Sequence, residues 1–145
     1  MKVVITRCLS ASVKVSNKCV GKISEGLLVL VGFTNGDTEK DIDYMVNKIV
    51  NLRIFDDENG IMNKSALELN KEILSVSQFT LYADTKKGMR PSYINSLNSK
   101  EAIKLYKIFN EKLKSHLNVE TGIFGSDMKV ESINDGPVTI ILESR

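Results

Sequence analysis

A cluster of hydroxyl and amide side chains follows an apolar run near the middle of the chain. Ser77, Gln78 and Thr80 surround Phe79, and the run before them is expected to be a β-strand. Hydroxyls, an amide and the backbone N–H of Phe79, freed where a strand ends, can bind an ester carbonyl or the oxyanion that develops on it. The alternative is that these side chains only satisfy hydrogen bonds of a sheet edge or a turn.

A second unusual segment, Asn-Asp-Gly-Pro-Val-Thr, occupies residues 134–139. Asn-Asp-Gly is typical of a turn, and Pro137 has no backbone donor, so the segment is not expected to pair fully as a strand. A cis bond between Gly136 and Pro137 would turn two successive carbonyls to the same side, where they can accept from an ammonium group. The alternative is a trans turn that leads into the last strand.

Three cations, Lys86, Lys87 and Arg90, lie in a polar segment directly after the first cluster. Such a loop is able to hold the phosphates of a nucleic acid. Exposed basic loops are also common in proteins that bind no nucleic acid, so the loop alone does not decide whether these residues contact one.

Residue counts exclude several familiar kinds of site. His116 is the single histidine, and it is expected to be a solvated residue near the end of a helix, where the helix dipole favours it. A metal site with several imidazoles of one chain is therefore excluded, and a serine or cysteine triad would have to use His116. Cys8 and Cys19 lack the close paired spacing of a zinc site, and no glycine-rich phosphate loop is present. We expect neither a metal nor a cofactor.

The composition is that of an ordinary soluble protein, and residues 1–145 are expected to form one domain. The net charge of +2 is too small to require a nucleic-acid partner, although a local basic patch can still bind one. Isolated cysteines suit a reducing compartment, the first residues lack the pattern of a signal peptide, and the longest apolar run is far too short to cross a bilayer. These features together predict a cytoplasmic protein.

Hydrophobic patterns predict the elements that must position the two polar segments. Seven or eight strands are expected at residues 1–8, 12–16, 19–23, 26–33, 72–82, 119–124, 128–133 and 138–142. In the fifth of these, strand alternation would place Ser77, Phe79 and Leu81 on one side, with Gln78 and Thr80 on the other.

Two amphipathic helices are predicted between the strands. The first carries an apolar stripe and is capped by Asp37 or Thr38, and the second runs over about residues 99–116 and is capped by Asn98. The pattern favours an α+β domain with a largely antiparallel, barrel-like sheet and helices on one face. Parallel winding is disfavoured because only two helices are available as crossovers.

The two polar segments together resemble the signature pair of the D-aminoacyl-tRNA deacylase family. Its Ser-Gln-x-x-Leu motif corresponds to residues 77–81 and its Asn-x-Gly-Pro-x-Thr motif to residues 134–139. Tyr93 occupies a position where phenylalanine is often found. The likeness covers the whole chain, because further matches lie at residues 1–13, 26–30, 87–92 and 120–128.

The resemblance implies a homodimer that hydrolyses the ester between a D-amino acid and the terminal adenosine of tRNA. It implies that the Gly136–Pro137 bond is cis and is inserted into the partner subunit's site, where its carbonyls meet the substrate α-ammonium and an L side chain would collide. Arg7 is implied to hold this segment in place. Glycine has no side chain to exclude, so glycyl-tRNA mischarged on the alanine acceptor is an implied second substrate.

The resemblance also assigns catalysis to residues 77–80 and leaves two mechanisms open. Thr80 can be a nucleophile with Gln78 in an oxyanion hole, or water can attack with help from the neighbouring ribose hydroxyl. The second is favoured because no histidine is evidently placed as a base and an unactivated threonine is a poor nucleophile. On that view Ser77 and Thr80 bind the substrate and do not react.

Two other functions remain as alternatives. One is a non-catalytic tRNA-binding module of the same fold, which the length and intact motifs disfavour. The other is a related editing deacylase that tolerates L-alanine on a tRNA, which Arg7 and Ser77 disfavour because they resemble the D-specific branch.

Overall fold

A computed structural model describes residues 1–144, so Arg145, the last residue of the predicted domain, lies outside the described part of the chain. Within residues 1–144 there are eight strands, two α-helices and one short 3-10 helix. In chain order these are β1 Lys2–Val15, β2 Lys18–Ile23, β3 Gly26–Gly32, α1 Glu39–Asn51, β4 Phe55–Asp56, β5 Met62–Lys64, β6 Glu72–Ser77, the 3-10 helix Phe79–Tyr82, α2 Ser99–Lys114, β7 Val119–Thr121 and β8 Lys129–Glu143.

The main sheet has the order β2-β1-β3-β6-β7, and β8 pairs with β1 as well. The pairings of β1 with β2, β3 and β8 are antiparallel, as predicted. The pairings of β3 with β6 and of β6 with β7 are parallel, so the sheet is mixed. The prediction against parallel winding was wrong here, because α1 and α2 each lie between two consecutive parallel strands and two helices suffice for two crossovers.

The sheet curves until its two edges nearly meet, which gives the predicted barrel-like core. Gly21 of β2 lies so close to the opposite edge that a Cβ there would be 2.8 Å from the carbonyl oxygen of Thr121 and 3.2 Å from Cδ1 of Leu74. A side chain at position 21 would therefore hold the edges apart. The short strands β4 and β5 form a separate hairpin outside this sheet.

Both predicted helices are confirmed and pack together against the sheet. Asp41 accepts at 2.9 Å from the backbone N–H of Thr38 at the start of α1, and Asn98 accepts at 3.1 Å from the N–H of Glu101 at the start of α2. These are the expected caps. The fully buried side chains that join helices and sheet belong to both helices and to β1 and β3, and include Val3, Ile5, Val29, Ile42, Met45, Ile49, Phe109 and Leu113.

Two pairs of predicted strands are continuous in the structure. Residues 1–8 and 12–16 belong to the single strand β1, because Ser10 and Ser12 continue the ladder to β8 despite their polarity. Residues 128–133 and 138–142 belong to β8, so the predicted turn between them is an interruption within one strand. This interruption contains Gly136 and Pro137.

Candidate active site

The first polar segment leaves the sheet earlier than predicted. Strand β6 ends at Ser77, and the residues after Gln78 form a 3-10 helix. The N–H of Gln78 donates to the carbonyl of Val31 at 2.8 Å, but β3 ends one residue later and offers no further partner. The chain then turns, with the N–H of Ala83 bonded to the carbonyl of Thr80 at 3.0 Å. The predicted strand to residue 82, with its alternation of facing sides, is therefore wrong.

The turn brings the amide of Gln78 to the hydroxyl of Thr80. Nε2 of Gln78 donates to Oγ1 of Thr80 at 2.5 Å. An amide N–H is a donor and has no capacity to take up a proton, so this contact does not activate Thr80 as a nucleophile. It fixes the orientation of both side chains relative to each other.

Phe79 is held between these residues by the loop that precedes α2. Its ring meets that of Tyr93 edge to face, with centroids 5.0 Å apart, and its carbonyl accepts from the hydroxyl of Ser96 at 2.9 Å. Tyr93, the mild departure from the family pattern, therefore supports the site through its ring. The Phe79 side chain itself is 56% exposed.

A cavity of about 490 Å³ opens beside this turn. Ser77, Gln78 and Phe79 line it together with the ends of β3 and β6, whereas Thr80 is not among its lining residues. Its volume lies in the range of about 300–1,000 Å³ that is usual for small-molecule sites. Three of the predicted site residues therefore lie on the wall of a cavity large enough for a small molecule.

The opposite wall of the cavity was not predicted from the sequence. It comes from the segment after β7, with Phe124 and Met128 as its large apolar side chains, and from Ser99 and Ala102 at the start of α2. The only sequence signal for this wall is the match of residues 120–128 to the family. Their approach to Ser77 results from tertiary packing and is not visible in local sequence patterns.

The second polar segment bulges out of β8. Cys8 pairs with Asn134 and Thr6 pairs with Thr139. The single residue Arg7 therefore lies opposite four residues of β8, 135–138. The Gly136–Pro137 bond is cis, as the resemblance implied, and Gly136 has a φ of 118°. Both residues are exposed, so the segment protrudes from the surface.

Arg7 holds the base of this protrusion. Its side chain is almost completely buried, and its Nε lies 3.1 Å from Oδ2 and 3.4 Å from the carbonyl of Asp135. Its Nη1 donates to the carbonyl of Ile54 at 2.8 Å and lies 3.3 Å from a carboxylate oxygen of Asp56. Two carboxylates and two carbonyls thus compensate one buried guanidinium, which makes the position of the 135–138 bulge dependent on Arg7.

The thiol of Cys8, next to Arg7 in β1, is kept uncharged by its burial. Burial raises the pKa of Cys8 above its ordinary value of 9.0. The thiol bonds weakly to the carbonyl of Gly26, and both Cys8 and Cys19 are free. Cys8 is therefore a packed, unreactive residue beside the site.

The two polar segments of one chain do not meet. Ser77 pairs with Val31, Val31 with Val3, and Val3 with Leu142, so three strand spacings separate Ser77 from β8. These spacings amount to about 14 Å along the sheet, and Thr139, where the ladder resumes after the bulge, lies about 10 Å farther along β8. Residues 134–139 are not among the residues that line the cavity.

The remaining predicted residues lie on the surface. Lys86, Lys87 and Arg90 are exposed in the loop that the paired residues Asp84 and Ser92 close, and they do not line the cavity. His116 is exposed just after α2, as expected. In residues 1–144 the histidine, cysteine and acidic side chains form no cluster of three that can hold a metal ion, and neither helix is long and apolar enough to span a membrane.

Comparison with known proteins places this geometry in a described family. Residues 4–143 match the family model described as D-Tyr-tRNA(Tyr) deacylase. The chain is 54% identical to the D-aminoacyl-tRNA deacylases of Flavobacterium psychrophilum and of Thermosipho melanesiensis, over 100% of this chain and 98% of each relative. It is 53% identical to that of Clostridium botulinum over the same shares.

Solved structures agree with this assignment of the fold. The chain is similar to the structure described as c-Myc DNA unwinding element binding protein, with a TM-score of 0.95, 41% identity, and coverage of 100% of this chain and 99% of that one. A probable eukaryotic D-amino acid tRNA deacylase matches with a TM-score of 0.85 and 18% identity over 97% of both chains. The second likeness concerns the fold alone.

Proposed function

This chain belongs to the D-Tyr-tRNA(Tyr) deacylase family, and we propose that it hydrolyses the ester that joins a D-amino acid to the terminal adenosine of tRNA. The observation that carries the proposal is the position of Ser77, Gln78 and Phe79 on the wall of the cavity of about 490 Å³. These residues belong to the segment 77–81, which matches the family's first signature motif. The products are free tRNA and a free D-amino acid, and the enzyme needs no cofactor for this reaction.

The cavity suits the terminal adenosine of the tRNA. Phe124 and Met128 supply an aromatic and a polarisable apolar wall on which a base can pack. The ribose and its ester then face Ser77 and the start of the 3-10 helix. In this arrangement the free N–H of Phe79 and the side chains of Ser77 and Gln78 are donors for the carbonyl oxygen and for the oxyanion that forms on it.

Water is the nucleophile in the mechanism that we favour. The neighbouring ribose hydroxyl of the substrate assists its attack, while the protein orients the ester and stabilises the developing negative charge. Thr80 accepts a hydrogen bond from Gln78 and positions its side chain. Thr80 is not the nucleophile, because this contact provides no base for the threonine hydroxyl. Breakdown of the tetrahedral intermediate breaks the bond between the carbonyl carbon and the ribose oxygen. The proton lost by the attacking water passes by way of the neighbouring ribose hydroxyl to this oxygen, which remains on the tRNA as a hydroxyl group.

The protruding Gly136–Pro137 segment of a partner subunit completes the site and selects the chirality. Its exposure and the separation of the two motifs within one chain support this assignment. The segment's carbonyls accept from the α-ammonium of the substrate, and an L side chain would collide with the segment. Glycyl-tRNA carries no side chain at this position and is therefore a second substrate.

The tRNA itself reaches the site from solvent. We assign contacts with its phosphates to the exposed cations Lys86, Lys87 and Arg90, and the course of their loop from the 3-10 helix that carries Phe79 to the start of α2 supports this assignment. We assign the enzyme to the cytoplasm, where aminoacyl-tRNA is found.

An assay with three substrates distinguishes this function from the two alternatives. The chain is incubated with D-Tyr-tRNA, L-Tyr-tRNA and Gly-tRNA, and loss of the ester is followed. We expect turnover of D-Tyr-tRNA and Gly-tRNA and none of L-Tyr-tRNA. Binding without turnover of D-Tyr-tRNA would indicate a non-catalytic tRNA-binding module, and appreciable turnover of an L-aminoacyl-tRNA would indicate an editing deacylase of different specificity.

A further inference from the structure

The solvent face of α2 carries a row of three lysines that the two signature motifs do not involve. Lys100, Lys104 and Lys107 are all exposed. At 3.6 residues per turn they fall within an arc of about 60° and span about 10 Å along the helix axis. The buried residues of α2, among them Ala102 and Phe109, lie on the opposite side of the helix.

These three lysines have no anionic partner in the part of the chain that the structure describes. Other lysines of α2 are paired: Lys112 lies 2.5 Å from a carboxylate oxygen of Asp43, and Lys114 lies 3.3 Å from one of Glu111. No ion pair involves Lys100, Lys104 or Lys107 among residues 1–144. Like charges at spacings of three and four residues on a helix repel each other, so an external anion would reduce the repulsion within this row.

The row begins in the first turn of α2. Ser99 and Ala102 of that turn line the cavity, on a different side of the helix from the lysines. A nucleic acid whose 3′-terminal adenosine occupies the cavity must carry its preceding phosphates over the adjoining surface. The lysine row continues from this turn along the surface of α2, and the charge of its side chains is opposite to that of the phosphates.

We propose that Lys100, Lys104 and Lys107 form a phosphate-binding row for the acceptor end of tRNA. This proposal rests on the proposed function, because the direction of the RNA follows from an adenosine in the cavity. The row is a second cationic surface, separate from the loop that carries Lys86, Lys87 and Arg90. Because it touches only the RNA backbone, it strengthens the binding of every tRNA equally and does not contribute to the choice between D- and L-amino acids.

The test compares a long and a short substrate in a variant with all three lysines changed to glutamine. For D-Tyr-tRNA we expect KM to rise about 10- to 100-fold near 0.1 M salt and the slope of log affinity against log salt to fall by about two to three. We expect kcat for D-Tyr-tRNA to stay unchanged. Hydrolysis of D-tyrosyl-adenosine, which lacks the preceding phosphates, should proceed as in the unchanged protein.

Two further variants make the outcome specific. Lys18, Lys22 and Lys40 are exposed and lie in β2 and α1, so their joint change to glutamine removes the same charge and should leave KM for D-Tyr-tRNA within about twofold. Changing the α2 row to arginine keeps the charge and should retain the original KM. An equal effect of the two glutamine variants, or an unchanged KM in the α2 variant, would overturn the proposal. Failure of the unchanged protein to hydrolyse D-Tyr-tRNA would overturn the proposed function instead.

Discussion

Nε of Arg7 lies 3.1 Å from Oδ2 of Asp135, the residue directly before the Gly136–Pro137 bond. The interaction joins the middle of β1 to the one part of β8 that leaves the ladder. Arg7 is 6% exposed, so the pair has a buried cation at its centre. The base of the protruding segment is therefore bonded to a side chain in the interior of the protein.

Replacing Arg7 by glutamine should destabilise the fold and loosen the protruding segment. We expect a loss of about 1–3 kcal/mol in the free energy of unfolding, because the buried carbonyl of Ile54 loses its donor, whereas Asp56 and Asp135 are partly exposed and stay hydrated. Arg7→Lys keeps the charge without the planar fork and should lose less. The measurement is urea unfolding together with the ratio of L- to D-Tyr-tRNA turnover, which should rise in both variants.

A matched control for this change is Arg53→Gln. Arg53 is exposed and donates to the carbonyl of Asn63 at 2.9 Å. Its removal should cost less than about 1 kcal/mol, the value of a single exposed contact, and leave the ratio of L to D turnover unchanged. Equal stability losses at positions 7 and 53 would contradict the role assigned to the buried guanidinium.

Gly136→Ala should disturb the segment through its own backbone. The residue has a φ of 118°, and a Cβ there would lie 2.8 Å from Cγ2 of Val138 and 3.2 Å from Nη2 of Arg7. We expect a loss of about 1–3 kcal/mol in stability and a clear loss of D-Tyr-tRNA turnover. Gly60→Ala is the control, because Gly60 also has a positive φ but no atom within 4 Å of its Cβ position. It should cost about 1 kcal/mol and leave turnover intact.

Thr80→Ala separates the two chemical mechanisms. If Thr80 only orients Gln78, the variant should lose about 10- to 100-fold in kcat, since one positioning hydrogen bond is removed. Thr80→Ser keeps the hydroxyl and should retain most of the activity. Single-turnover hydrolysis of D-Tyr-tRNA measures both. A loss of many thousand-fold in the alanine variant, or a trapped ester on Thr80, would instead identify Thr80 as the nucleophile.

Tyr106→Phe tests how α2 supports the strand that ends at Ser77. The Tyr106 hydroxyl donates to the carbonyl of Ser75 at 2.9 Å inside the protein. Its removal should cost about 1–2 kcal/mol at pH 7 and change kcat little. The measurement is urea unfolding of both proteins at several pH values.

The difference in stability between the unchanged protein and the Tyr106→Phe variant should depend on alkaline pH. Burial raises the pKa of Tyr106 above its ordinary value of 10.0, so the folded state holds this proton more tightly than the unfolded chain. The resulting stabilisation is complete below about pH 10 and is lost as the pH rises through the raised pKa. The difference should therefore narrow above about pH 10, and a difference that stays constant to about pH 11 would contradict the buried environment of the hydroxyl.

The sequence predicted the elements well where local pattern decides them. Both helices, their caps and the buried stripe that includes Ile42 and Ile49 follow from apolar spacing and end residues that act over one or two turns. The two site motifs were also found, because unusual residue types such as the Gly-Pro pair are visible without a structure. Each of these features is determined by residues that lie close together in the sequence.

The failures have a common physical cause in contacts between distant residues. Strand β6 ends at Ser77 because its neighbour β3 ends at Gly32. The end of β3 cannot be predicted from the sequence of residues 77–82. The turn predicted at Gly136 is a bulge, because β1 pairs with β8 on both sides of Arg7. The cavity wall at Phe124 and Met128 likewise forms only when the segment after β7 packs near β6.

Mixing two inactive variants tests most directly the claim that one site contains the first motif of one subunit and the second motif of its partner. One chain carries Gln78→Ala and the other Gly136→Ala, and the two are unfolded together, refolded and assayed with D-Tyr-tRNA. Random pairing makes about half of the dimers mixed, and each mixed dimer has one intact site of two, so about a quarter of the original activity should return. Activity no higher than that of either variant alone would contradict a site shared between subunits.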